Sequence, residues 1–272
     1  MSSIPLALKE ASDREVDGCG KENAVKMPLV HELNELIETD ILLRECLQPW
    51  DEYLQGHRRD LKRVIHWTAL PAITVAVNRR FEGNDRLGSH LAAILLLIYL
   101  ADHIHGSIKD DEEGCDSTGL QYSILLGDYF FSRAVGLLDR INAHKLLHHF
   151  SQLMCSISEG HVMRKMADGR LDLEILGLEK ASYYKYSFLT AAVAGGCGAM
   201  ECKFYEETGF NLGMAITLYD EGLDKVAVNY LEKTRALLAS WNRPRNDRNC
   251  IIRSLSEELI QSIKPAREVV AI

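Results

Sequence analysis

No proline interrupts the chain between Pro71 and Pro244, and Leu, Ala, Glu and Lys dominate the residues between them. Proline cannot supply the amide hydrogen that a helix interior needs, while those four residues are strong helix formers. Apolar periodicity predicts helices over roughly 30–48, 50–66, 68–80, 89–109, 118–139, 143–167, 179–200, 202–223, 225–241 and 249–263. Ser89 is placed as the N-cap of the fourth, after the loop from Gly83 to Gly88. No stretch alternates in the manner of a strand, and no heptad array or fixed repeat occurs. Several helices, above all LAAILLLIYLA at 91–101, are apolar on every side, so they must lie inside a layered bundle. The expectation is one all-α domain of about ten helices over 27–272, with 1–26 as a disordered leader.

A net charge of −8 argues against a general nucleic-acid-binding surface. Seven cysteines, an odd number without C-x-x-C spacing, argue against a disulfide framework and for a reducing compartment. The first residues lack a basic segment followed by an apolar core, and 91–101 is shorter than the roughly 20 residues a membrane span needs. The chain is therefore expected to be cytoplasmic, with no transmembrane segment.

Two acidic stretches carry the chemical promise. The first, in LADHIHGSIKDDEEG (100–114), gathers Asp110, Asp111, Glu112 and Glu113. Mg²⁺ favours carboxylates shared with a substrate phosphate, and two acids at i and i+4 on a helix would project together. Here that pair is Gly106 and Asp110, which leaves one ligand, and a solvated acidic helix end is the competing reading. The second, GMAITLYDEGLD (213–224), puts Asp220 and Asp224 at i and i+4 with Glu221 between, a set able to hold a hydrated divalent ion. Three acids in five residues are also common on exposed helices. His103 and His105 flank the first stretch, and His144 and His148 share metal-site spacing, but no third ligand accompanies them and a structural role is the simpler reading. No nucleophile elbow and no glycine-rich phosphate loop occurs.

Taken in order, five segments resemble the trans-isoprenyl diphosphate synthase (polyprenyl synthetase) family. YLADHIHGSIKDD (99–111) is similar to the segment ending in the first aspartate-rich motif, and LLGDYFFSRA (125–134) to "GDYLLARA". ISEGHVMRKM (157–166) resembles the "I-C-E-G-E" helix, and YYKYSFLTAAVAGGCGAM (183–200) the segment opening on a lysine, "K-T-A-x-L-F". GFNLGMAITLYDEGLD (209–224) resembles the second aspartate-rich motif, and the likeness runs from about residue 60 to the C-terminus.

The resemblance implies an isoprenoid-synthase-type helical bundle around a central cavity, in which Mg²⁺ holds an allylic diphosphate while isopentenyl diphosphate attacks. Carried over residue by residue, it implies Asp110 and Lys185 as catalytic, Lys109, Lys185 and Glu159 as substrate-binding, and Asp220, Glu221 and Asp224 as metal ligands. The departures are equally specific. Gly106 and Ser107 stand where the family has its two leading aspartates, so Mg²⁺ is expected to be weak or lost there. The basic clamp for isopentenyl diphosphate falls at Ile65–Pro71, where only the proline survives, and the lysine loop after Asp224 is missing. The reading that follows is a subunit of a heteromeric prenyltransferase, with little elongation of its own and an intact-motif synthase as partner in a heterodimer, or a homodimer. The alternatives are an independent Mg²⁺-dependent enzyme of altered chemistry acting on an isoprenoid diphosphate, and a catalytically silent isoprenoid-binding protein.

Overall fold

The computed structural model describes residues 33–54, 61, 64–81, 85–107, 117–167, 172–240, 254 and 257–258. Among these the chain forms α1 (Glu35–Leu47), α2 (Ile65–Asn78), α3 (Asp85–Gly106), α4 (Ser117–Arg140), α5 (Leu147–Met166), α6 (Leu173–Leu176), α7 (Ser182–Ala194), α8 (Ala199–Asp220) and α9 (Asp224–Ser240). A 3₁₀ turn, His144–Leu146, leads into α5, and a π-helical turn, Gly177–Ala181, joins α6 to α7.

The all-α expectation holds, with fewer long helices among the described residues than the ten anticipated. Residues 51–54 at the start of the expected 50–66 helix form turns and residue 61 is helical, most of the residues between lying outside the described ones, while α2 spans the expected 68–80 helix, starts three residues earlier and contains Pro71. The expected leader and nearly all of the 249–263 segment lie outside the described residues. Ser89 does not cap α3, which begins at Asp85; Ser89 is fully buried and its carbonyl accepts from Thr39 Oγ1 of α1 at 3.3 Å. Packing against α1, not a cap, is what a small polar residue does at that position.

α3 is the axis of the bundle. Residues 91–101 are each at most 4% exposed, because α1, α2 and α4 pack around the helix and α7 meets its end. The helix is long and apolar enough to cross a membrane by length and composition, with mean hydropathy 1.6 over its most apolar window. That window is 89% buried inside the bundle, so protein takes the place of lipid around it.

α8 lies against α7 and the π turn, and two glycines set the distance. A Cβ on Gly209 would stand 2.5 Å from the Tyr184 carbonyl oxygen, and one on Gly213 would stand 2.8 Å from that of Ala181. The four-residue spacing of GFNLG thus lets two backbones touch along one helix face.

Candidate functional site

Three helices and the π turn deliver charged and aromatic side chains to one end of α3. Asp102 directly follows the apolar run 91–101 of α3 and is buried. Tyr183 of α7 donates its hydroxyl to Asp102 Oδ2 at 3.2 Å, and His161 Nε2 of α5 stands 3.1 Å from Oδ1. A buried carboxylate needs such partners, since an unpaired charge in the interior costs several kcal/mol. The hydrogen bond to Asp102 raises the pKa of His161 above its ordinary value, against the opposing effect of burial. Burial and the nearby Asp102 charge raise the Tyr99 and Tyr183 hydroxyls in turn, so both stay protonated.

The π turn adds the next layer. Its Glu179 is buried and receives a bidentate fork from Arg164 of α5, with N–O distances of 2.6–2.9 Å. Gly160 permits this approach, because a Cβ there would lie 2.6 Å from Glu179 Cγ. Single turns of π-helix are concentrated at functional sites, and this one presents consecutive residues to different neighbours. Glu179 faces Arg164, while Lys180 places its Nζ 5.2 Å from the centroid of the Tyr99 ring. Asp220, the last residue of α8, is within the field of Lys180; burial raises its pKa first and Glu221 adds to this, while Lys180 opposes both.

Deeper in the bundle the polar contacts are neutral. His66 Nδ1 and the Tyr184 hydroxyl lie 2.8 Å apart, and Thr74 and Ser187 pair their hydroxyls at 2.9 Å. Burial, with a smaller contribution from Lys180, pushes the His66 pKa down to about 3. This imidazole is therefore uncharged at neutral pH.

The expected site residues are distributed differently from their sequence pattern. Lys109 and Asp110 lie outside the described residues. Glu159 is exposed on α5. Lys185 pairs with Glu206 of α8 at 2.9 Å, so its charge is answered away from Asp102. Asp220 and Asp224 do not share a helix face as their spacing suggested. α8 ends at Asp220, Gly222 turns the chain at φ 74°, and α9 starts at Asp224. Glycine enters that left-handed conformation without the steric penalty other residues incur. Among the described residues no three His, Cys, Asp or Glu side chains gather as a metal group. His144 sits in the 3₁₀ turn, off the α5 helix that carries His148.

No family model matches the chain. The octaprenyl diphosphate synthase of Escherichia coli (strain K12) is 27% identical over 169 residues, covering 57% of this chain and 52% of that protein. A prenyl transferase of Cyanophora paradoxa is 24% identical over 170 residues, covering 57% and 53%. The chain is a relative of the trans-isoprenyl diphosphate synthases. The match spans about half the length of these curated relatives. The fold agrees over a longer range. A polyprenyl synthase from Caulobacter crescentus CB15, solved with calcium and isoprenyl diphosphate, superposes with a TM-score of 0.69 at 21% identity, over 87% of this chain and 97% of that one. A decaprenyl diphosphate synthase from Rhodobacter capsulatus gives 0.67 at 15% identity, over 88% and 99%.

Set against the resembling motifs, His161 of ISEGH (157–161) falls at the second glutamate of "I-C-E-G-E", and His66 and Trp67 fall within the segment that resembles the basic clamp. Sequence reasoning missed Asp102, His161, Lys180 and the Arg164–Glu179 pair. One signal was available for Asp102: an acid at the end of an all-apolar helix must find a buried partner.

Proposed function

We propose that this chain is a non-elongating subunit of a prenyltransferase, binding an isoprenoid diphosphate and working beside an intact-motif polyprenyl synthase. The observation that carries the reading is the state of the clamp segment. His66, Trp67 and Ala69 to Pro71 are all buried, His66 is neutral and bonded to Tyr184, and no cation from that segment is available to a second diphosphate. The end of α3 supports it. Ser107 turns its hydroxyl back onto the Ile104 carbonyl at 2.6 Å, and Gly106 offers no side chain where the family has carboxylates.

Elongation needs charge stabilisation on the departing diphosphate and a held second substrate, and loss of either costs orders of magnitude in rate. What remains useful is a scaffold and a charged mouth. Association is supported by the apolar residues exposed on α4, where Ile124 is 42%, Leu125 68% and Val135 46% exposed. These flank the GDYFFSRA segment and suit a partner helix face.

The test is radiolabelled isopentenyl diphosphate with geranyl or farnesyl diphosphate, given to the lone chain and to its mixture with an intact-motif synthase. The reading expects no product from the lone chain and an altered rate or product length in the mixture. Robust elongation by the lone chain overturns it in favour of an independent enzyme. Binding of the diphosphate without any effect on a synthase overturns it in favour of a silent binding protein.

A further inference from the structure

α1 and α4 both pack on α3, and they meet each other where Tyr129 donates to the Gln48 carbonyl at 3.1 Å and Arg140 reaches Glu45 at 3.0 Å. Beside that contact, near the start of α3, a pocket of about 420 Å³ opens between the three helices. It lies at the other end of α3 from the mouth. His90 lines it, and the stretch of helix from His90 to Asp102 is about 18 Å long at the α-helical rise. A pocket of that volume falls in the range of small-ligand sites.

The walls of the pocket carry opposite charge. α1 contributes Glu38 and Glu45, while α3 and the end of α4 contribute Arg86, His90 and Arg140. Glu45 and Arg140 answer one another, but Glu38 and Arg86 make no ion pair among the described residues although they line the same space. Between the walls lie Leu42, which is buried, and Ile41 and Ile141, which keep apolar surface in contact with solvent. His90 is buried, and its Nδ1 donates to the Arg86 carbonyl at 2.8 Å, since a carbonyl oxygen only accepts. That bond fixes the ring and makes Nε2 the acceptor of the uncharged tautomer, with no other hydrogen bond to this ring among the described residues.

We propose that this pocket is a second ligand site and takes a free α-amino acid with an aliphatic or aromatic side chain. A ligand of one sign would satisfy one wall and face like charge on the other, whereas a compact zwitterion answers both. The ammonium meets Glu38 and His90 Nε2. The carboxylate meets Arg86 and the N–H groups that Arg140 does not give to Glu45, and guanidinium suits carboxylate geometry. The side chain lies over Ile41, Leu42 and Ile141. None of these residues belongs to the mouth, so this site and the proposed function stand or fall separately.

The experiment is calorimetry on the full chain with L-leucine, L-phenylalanine and glycine, and with N-acetyl-L-leucine and L-leucinamide, which lack the ammonium and the carboxylate respectively. Leucine and phenylalanine are expected to saturate one site, with glycine and both blocked derivatives weaker by about tenfold or more, the loss of one charge-assisted or apolar contact. Glu38→Gln should weaken leucine by a similar factor and leave N-acetyl-leucine unchanged. Arg86→Gln should weaken leucine and leave leucinamide unchanged, and Arg86→Lys should restore leucine binding. This pairing of each variant with one blocked ligand is an effect that a purely structural role would not give. Circular dichroism and urea midpoints confirm that each variant is folded. No saturable binding of leucine or phenylalanine, leucinamide or N-acetyl-leucine binding as tightly as leucine (a peptide terminus as the ligand), or unchanged affinity in both Glu38→Gln and Arg86→Gln would overturn the site.

Discussion

The two histidines at the centre of the bundle, His66 and His161, show how differently its floor and its mouth are built. His66 is buried, faces a tyrosine hydroxyl and is held neutral by desolvation. His161 is half-exposed and faces a buried carboxylate, and that bond raises its pKa. The same side chain is pushed toward its neutral form in one place and toward its cation in the other, and the surroundings decide which. The floor, between α2 and α7, is closed by Tyr184, Phe188 and the Thr74–Ser187 pair. The mouth, between α3, α5 and the π turn, buries the carboxylates of Asp102 and Glu179 and leaves His161 and Arg164 partly exposed.

The contrast predicts where substitutions cost stability and where they cost binding. Tyr184→Ala should have the largest effect on folding, about 3–5 kcal/mol in urea denaturation, because it opens a cavity in the floor and strands His66. A loss below that of a surface substitution would show that the floor is not packed as described. Arg164→Ala comes next. It leaves Glu179 buried and unpaired, and about 2–3 kcal/mol is expected, reduced from the full buried-pair value because Arg164 is one-third exposed.

The histidines should give opposite pH slopes. The His66 pKa lies below the unfolded value, so its contribution is present above about pH 6.5 and is lost as pH falls toward about 3. The His161 pKa lies above it, so the Asp102 bond stabilises fully below the unfolded value and is lost as pH rises through the folded one. Urea midpoints across pH should therefore lose their acid limb in His66→Phe and their alkaline limb in His161→Gln; the same limb vanishing in both would erase the distinction between floor and mouth. Lys185→Met should have the smallest effect, within about 0.5 kcal/mol, since its pair with Glu206 is partly solvated. Calorimetry with geranyl diphosphate should register no change in that variant.

The long helices were legible because apolar residues around the whole circumference, as at 91–101, admit no exposed solution. The likeness to polyprenyl synthases was also legible in five short segments, and curated relatives match 57% of the chain. The mouth was not, because its parts meet across the chain: Asp102, His161 and Lys180 come from α3, α5 and the π turn, and no local spacing links them. The π turn itself misled the reading of lysines. It shifts the register between α6 and α7, so the lysine that reaches Tyr99 is Lys180, and the one that fits the written motif turns to Glu206. At the second acidic stretch, Gly222 was visible but its consequence was not. A glycine inside a D-E-G-L-D pattern can continue a helix or end one, and here its positive φ ends α8 and separates the two aspartates.

The central claim is that the chain holds one diphosphate at its mouth and has no floor for a second. The direct measurement is calorimetric titration of isopentenyl diphosphate into the chain saturated with an unreactive allylic diphosphate analogue, with and without Mg²⁺. The account predicts saturation by the analogue at one per chain and no heat of binding from isopentenyl diphosphate under either condition. A second, saturable site for isopentenyl diphosphate in the presence of the analogue would contradict it.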